Sequence, residues 1–160
     1  MSKAFTRESE ETEPEDIQSV RTQLPPGTRN YITSKGADQL RHRLNKLLEE
    51  RRSAKNPDRR FDSAIRKLES ILGSVVVAEV PADQDKVTFG ASIVVRYSNG
   101  DEEAYRIVGV DEADPAHDRI SWVSPLARAL LNHRAGAKIL FRSPAGDQEL
   151  TILKVHYDSD

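Results

Sequence analysis

Few side chains in this sequence have a type and spacing that could do chemistry. The 160 residues include no cysteine, which excludes disulfide bonds, thiolate zinc sites and a cysteine nucleophile. The four histidines, at positions 42, 117, 133 and 156, are too scattered to predict an all-histidine metal site. Ser124 lacks the Gly-x-Ser-x-Gly elbow of a hydrolytic serine. We therefore predict no enzymatic activity, no metal site, no cofactor and no small-molecule substrate.

Asp58 and Asp62 are two acidic side chains whose spacing brings them together. Residues four apart lie on one face of a helix, so the pair could act jointly. However, Arg59 and Arg60 lie between them, and acids in the first turn of a helix commonly complement its dipole. The structural interpretation of this pair is favoured.

The charge is distributed unevenly along the chain. Residues 1–33 carry −2, residues 34–72 carry +5 and residues 73–160 carry −5, for a total of −2. A basic middle and an acidic remainder predict two units with different surfaces, and the total argues against nonspecific wrapping of DNA. The basic middle has two open interpretations: a surface for an acidic partner or RNA phosphates, or an ordinary solvated helix face.

Residues 1–30 are predicted to be a disordered acidic tail, because they are rich in glutamate and proline and poor in large apolar side chains. No apolar run reaches the roughly 18 to 20 residues that span a bilayer. The N-terminus also lacks the apolar core of a signal peptide, so we expect a cytoplasmic protein that has no membrane partner.

Residues 31–75 are predicted to form an antiparallel coiled-coil hairpin of two α-helices. Thr33 or Ser34 is expected to cap the first helix, and Asn56, followed by Pro57, to cap the second. Each arm is expected to hold roughly 18 to 20 residues, and Gly73 to end the second. Apolar positions alternate at spacings of three and four: Ala37, Leu40, Leu44 and Leu47, then Phe61, Ile65, Leu68, Leu72 and Val75.

Residues 76–160 are predicted to form an α+β unit with five or six antiparallel strands and one short helix. Asn99-Gly100 predicts a tight turn between strands at 87–97 and 103–110. Ser124 is expected to cap the short helix, whose first position suits Pro125. Further strands are predicted at 75–80, 120–123, 138–142 and 149–157.

Several segments of this second unit resemble the bacterial Gre transcript-cleavage factors (GreA and GreB), with the closest match to the GreB type. The resemblance covers about residues 87–157, weakens across 31–80 and is absent across 1–28. The matching segments, in family order and at family-like spacing, are Phe89-Gly90-Ala91, Tyr105-Arg106-Ile107-Val108-Gly109 with Asp111-Glu112, Ser124-Pro125-Leu126-Ala127-Arg128-Ala129-Leu130-Leu131, and Ser143-Pro144-Ala145-Gly146.

The resemblance implies a coiled-coil hairpin followed by an FKBP-like domain, with RNA polymerase as the partner. In that family the C-terminal domain grips a coiled coil of the largest subunit at the rim of the secondary channel. The hairpin then enters the channel, near RNA and DNA, and its acidic tip helps to hold a Mg²⁺ that activates water for RNA hydrolysis. The residues expected to bind polymerase are Trp122, Val123, Ser124, Pro125, Leu126 and Arg128.

This sequence departs from the family pattern where cleavage needs it. The Glu-Asn-Ala-acid-Tyr run of the tip is missing, and each arm is shorter by roughly 10 residues, or about 15 Å of reach. Mg²⁺ binds oxygen at about 2.0–2.1 Å, so the shortfall predicts a factor without cleavage activity, similar to short-hairpin relatives of the Rnk type. Val123 replaces an expected polar or acidic residue, which predicts weaker polymerase binding.

The sequence leaves alternative functions and alternative residue roles open. Asp58 and Asp62 could replace the family's tip acids, which would make the chain a true stimulator of transcript cleavage. An FKBP-type prolyl isomerase is less favoured, because that activity needs an aromatic-lined apolar pocket. Ser124 and Trp122 also have a structural interpretation, as a helix cap and a core residue.

Overall fold

Two helices of matching apolar spacing fold back on each other. The computed structural model describes residues 24–158, and in it α1 spans Ser34–Ser53 and α2 spans Arg59–Ser74. Thr33 caps α1, because its hydroxyl accepts a hydrogen bond from the Gly36 amide at 3.0 Å. At 1.5 Å per residue the helices are about 30 Å and 24 Å long, so the second arm is shorter than predicted.

The start of α2 corrects one prediction. Asp58, not Asn56, is the N-cap, and its carboxylate accepts a hydrogen bond from the Arg60 amide at 3.3 Å. Since α1 ends at Ser53 with Ala54 as its cap, residues 55–57 are used to cross between the helices. Asp58, the first acid of the tip pair, therefore has a structural role as a helix cap.

The end of α2 corrects a second prediction, that Gly73 ends the helix. The helix runs through Gly73 to Ser74, and Val75 is its C-cap in an extended conformation, at φ −78° and ψ 147°. No left-handed residue is needed there, because the chain passes straight into a strand. Val75, predicted to lie on the apolar stripe of the helix, is the first residue of that strand.

Two short strands hold the ends of the hairpin side by side. β1, Asn30–Ile32, precedes α1, and β2, Val75–Val77, follows α2; the two pair in parallel. The Ala78 amide also donates to the Ile32 carbonyl at 2.9 Å. This pairing was not predicted, and β1 begins at the end of the proposed acidic tail. The rest of that tail, up to residue 23, lies outside the described residues.

A five-stranded sheet forms most of the second unit. Its strands are β3 Ser92–Tyr97, β4 Glu102–Val108, β5 Arg119–Ser121, β6 Lys138–Ser143 and β7 Gly146–His156, in the spatial order β5–β4–β3–β7–β6. The predicted all-antiparallel sheet is wrong at one edge, where β5 pairs in parallel with β4, because the loop 109–118 carries the chain back to the level of Arg106. The tight turn at Asn99-Gly100 is as predicted, with Gly100 at φ 93°.

A single short helix covers this sheet, so the α+β class is as predicted. α3, Pro125–Leu130, packs against β5 and β6 and buries Ala127 and Leu130 completely. Both belong to the aliphatic core of this unit, whose other members are Val87, Ala91, Ile93, Val95, Ile107, Ile139, Leu150 and Ile152. Within residues 24–158, no helix has both the length and the apolar character that a membrane crossing requires.

Candidate functional site

The junction between β5 and α3 presents two exposed side chains beside a rigid helix start. The Ser124 hydroxyl accepts a hydrogen bond from the Ala127 amide at 3.2 Å, and Pro125 occupies the first position of α3. Ser124 is thus a cap, as its structural interpretation predicted. Pro125 and Arg128 are both exposed, one turn apart on the same short helix.

The other predicted binding residues are less accessible. Val123 is 4% exposed and belongs to the core, so its side chain is not available to a partner in this conformation. Leu126 is half-buried against the core cluster. Trp122 is half-buried too, and its indole nitrogen is buried without a hydrogen-bond partner among the described residues.

Trp122 belongs to an aromatic cluster that joins the hairpin base to the β domain. Its ring centroid lies 5.8 Å from that of Tyr31 in β1 and 6.3 Å from that of Phe89, both at steep interplanar angles. Tyr31 and Phe89 are also 5.8 Å apart. Such edge-on aromatic pairs stabilise a contact beyond the area that they bury. The cluster therefore fixes the β5–α3 junction relative to the hairpin.

Glu112 forms another contact between the two units, and sequence reasoning missed it. Its Oε2 accepts hydrogen bonds from the Thr33 and Gly109 amides, both at 2.9 Å, and its Oε1 accepts one from the Thr33 hydroxyl. The residue that caps α1 is thereby held by a carboxylate 79 positions further along the chain. An acidic residue at the N-terminus of a helix also complements the helix dipole.

Two glycines allow this close approach. A Cβ at Gly36 would lie 1.8 Å from Oε1 of Glu112, and a Cβ at Gly109 would lie 2.2 Å from the Tyr31 carbonyl oxygen. Neither position tolerates a side chain without movement of its neighbours. The only sequence signal was the presence of these glycines beside Thr33 and Glu112.

At the far end of the hairpin, both tip carboxylates are engaged by the hairpin itself. Asp62 forms an ion pair with Arg51 across the two helices, with Oδ1 and Nη2 at 2.8 Å. Asp58 caps α2 and lies 3.5 Å from the Arg60 Nε. Among the described residues, no three acidic or histidine side chains are grouped so that they could hold a metal ion.

The hairpin surface is strongly basic. Residues 34–72 contain eleven lysines and arginines against six acids. Four of the basic side chains form ion pairs within the hairpin: Arg41, Lys46, Arg51 and Arg60. The excess of positive charge therefore remains on its surface.

The described residues therefore form an arm of two helices that is braced on a β domain, with the exposed start of α3 in the same domain. The family model described as "Transcription elongation factor, GreA/GreB, C-term" matches residues 82–157. The transcription elongation factor GreB of Neisseria meningitidis is 35% identical over 155 residues, which cover 81% of this chain and 95% of that protein. The chain belongs to the GreA/GreB family of transcription elongation factors.

Two further relatives match over a smaller part of the chain. GreB of Pseudomonas aeruginosa is 41% identical over 100 residues, covering 62% of this chain and 60% of that protein. GreA of Chloroflexus aurantiacus is 41% identical over 104 residues, covering 64% and 66%. The crystal structure of GreA factor homolog 1 (Gfh1) of Thermus thermophilus is 22% identical with a TM-score of 0.42, covering 81% of this chain and 99% of that one.

Proposed function

We propose that this protein docks on bacterial RNA polymerase at the rim of the secondary channel and regulates transcription in the cytoplasm without stimulating transcript cleavage. This proposal rests mainly on the hairpin tip. There the Asp58 carboxylate caps α2, and the Asp62 carboxylate forms an ion pair with Arg51. A carboxylate that serves as a metal ligand must face the metal, whereas Asp58 faces an amide of its own helix and Asp62 faces Arg51 of the other helix.

The length of the arms supports the same conclusion. With 20 and 16 residues, the helices reach about 30 Å and 24 Å from the base, and the departure from the family pattern predicts a shortfall of about 15 Å. The match to the Neisseria GreB agrees with a deletion: it extends over 155 positions but takes in only 81% of this 160-residue chain. Some positions of that relative therefore have no counterpart here.

The β5–α3 junction is the proposed docking surface. Pro125 and Arg128 are exposed at the start of a helix whose base is fixed by the Ser124 cap and the aromatic cluster. Arginine is one of the residues that are enriched at interface hot spots. Val123 is buried, so the expected polar contact at its position is absent from this surface.

The double substitution Pro125→Ala with Arg128→Ala is expected to weaken polymerase binding at least tenfold, about 1.4 kcal/mol, because it removes both exposed contacts while alanine preserves α3. Pull-down and surface plasmon resonance with purified RNA polymerase measure the change. The matched control is Arg142→Ala with Pro144→Ala, which removes an exposed arginine near the end of β6 and an exposed proline from the turn that follows it. Unimpaired binding of the first variant would refute the proposed docking surface.

Backtracked transcription complexes distinguish this proposal from a true cleavage factor. With Mg²⁺ and the full protein we expect RNA shortening at the intrinsic rate of the polymerase, and the same rate with Asp58→Ala plus Asp62→Ala. Acceleration by the wild-type protein that this variant loses would instead establish the alternative, in which these two acids act at the metal. The pull-down above shows in the same preparations whether the factor is bound.

A prolyl isomerase receives less support from this geometry. The aromatic side chains Tyr31, Phe89 and Trp122 pack against one another, and the cavity that Phe89 lines has a volume of only about 30 Å³. Indirect contact of the basic hairpin with RNA or DNA in the transcription complex remains part of the proposal, since its positive charge is only partly neutralised.

A further inference from the structure

A cleft opens where the first turn of α1 meets the β4–β5 edge of the sheet. Its volume is about 280 Å³, and it lies between the hairpin and the β domain. The polar side chains that line it come from both units: Lys35, Gln39, Arg106, Glu112, His117 and Arg119. The cleft is remote from the hairpin tip, and it does not include Pro125 or Arg128.

The carboxylates around this cleft are already occupied by other donors. Glu112 accepts three hydrogen bonds from Thr33 and Gly109. Asp114 accepts one from His117 Nδ1 at 2.6 Å, which lowers the pKa of its carboxyl, and lies 3.4 Å from an Arg119 nitrogen. Asp158 pairs with Nη1 of Arg106 at 2.8 Å. Their acceptor oxygens thus point at partners within the protein.

The donors around the cleft are not all satisfied. The Nε atoms of Arg106 and Arg119 are buried and have no hydrogen-bond partner in the part of the chain that the structure describes. Both side chains are mostly buried, at 21% and 30% exposure. Lys35 is exposed at the mouth and forms no ion pair with a described carboxylate.

We propose that this cleft binds a small oxyanion of the phosphate or pyrophosphate class. Guanidinium and ammonium groups are the side chains that recognise phosphate oxygens, and here the cleft is lined by Lys35 from α1, Arg106 from β4 and Arg119 from β5. The α1 N-terminus adds little, because Glu112 and Thr33 already occupy amides there. Of the charged side chains that line the cleft, three are cationic and one, Glu112, is anionic, so the lining itself carries an excess of positive charge.

Size favours a small anion over a nucleic acid. The cleft falls slightly below the range of about 300–1,000 Å³ that is typical of drug-sized ligands, which suits one or two phosphate groups. An RNA backbone requires an extended basic track. Because the ligand would touch both α1 and the β4–β5 edge, its binding would fasten the hairpin to the domain.

Isothermal titration of the full chain with inorganic pyrophosphate, at constant ionic strength set with NaCl, tests the proposal. We expect saturable one-site binding and a rise in the thermal unfolding temperature with pyrophosphate concentration. Lys35→Gln with Arg119→Gln is expected to raise the Kd at least tenfold. The control Arg142→Gln with Lys154→Gln removes the same charge from exposed positions elsewhere and should leave the Kd unchanged.

Lys35→Gln alone decides the question if the Arg119 substitution disturbs folding, since Lys35 is exposed and should still raise the Kd severalfold. The proposal is overturned if pyrophosphate shows no saturable binding at millimolar concentrations, or if the control variant loses as much affinity. It is also overturned if a single-stranded RNA oligonucleotide binds through the same two residues while pyrophosphate and phosphate do not. None of these outcomes depends on polymerase binding.

Discussion

Replacement of Gly109 by alanine is expected to destabilise the protein by about 3 kcal/mol, the upper part of the usual range for overpacking. The new Cβ would lie 2.2 Å from the Tyr31 carbonyl oxygen and 3.0 Å from Oε2 of Glu112. A flexible side chain could turn away, but the carbonyl belongs to β1, which pairs with β2. Relief of the clash therefore requires that the hairpin base move away from the β domain.

Urea unfolding followed by circular dichroism measures this effect, and Gly73→Ala is the matched control. Gly73 lies inside α2 with open space where its Cβ would be, so alanine there should stabilise the protein by about 0.5–1 kcal/mol. The two glycine substitutions are thus expected to have opposite signs. A free energy of unfolding for Gly109→Ala within about 0.5 kcal/mol of wild type would contradict the packing described at the base.

Removal of the Glu112 carboxylate is the second change with a large expected effect. Glu112→Ala leaves the Thr33 and Gly109 amides and the Thr33 hydroxyl without their shared acceptor. Hydrogen bonds to charged groups contribute about 1.5–3 kcal/mol each, and water replaces part of this loss because the site is only partly buried. We expect destabilisation of about 3 kcal/mol, measured by the same unfolding experiment.

Glu112→Gln separates shape from charge at this position. A glutamine can place its oxygen where Oε2 accepts both amides and direct its NH₂ group to the Thr33 hydroxyl oxygen. It should therefore lose less than half as much stability as alanine does. Equal losses for the two variants would mean that the negative charge at the helix start dominates; two variants as stable as wild type would mean that Glu112 does not hold the base.

The elements that sequence reasoning predicted well are those defined by neighbouring residues. The alternating spacing of Leu40, Leu44 and Leu47 predicts a helix, the Asn99-Gly100 pair predicts a turn, and Ser124 before Pro125 predicts a capped helix. Each signal acts within about four residues, so no knowledge of the tertiary structure is needed.

Contacts between distant segments were beyond such reasoning. The parallel pairing of β1 with β2 joins residues 45 positions apart in register, such as Asn30 and Val75, and neither strand has more than three residues. A three-residue strand has almost no periodic signal. For the same reason Glu112 was noticed only as part of a family-like segment, although it binds the residue that caps α1.

At the candidate site, too, local information was predicted and tertiary information was not. Its chain position was inferred from a resemblance, but burial separates Pro125 and Arg128, which are exposed, from Val123, which is not. At the tip, sequence alone left Asp62 as a possible ligand, whereas its ion pair with Arg51 depends on the crossing of two helices. The exposure of a side chain and the partner of its ion pair are tertiary properties, which a single sequence encodes only indirectly.

The β1–β2 pair has a consequence for how such proteins can diverge. Because both ends of the arm are clamped at one place, equal numbers of residues can be added to or removed from its two helices without disturbing the anchor. Whole heptads would preserve the apolar seam and change only the length. The length of the arm can therefore change in evolution while the β domain that carries it stays the same.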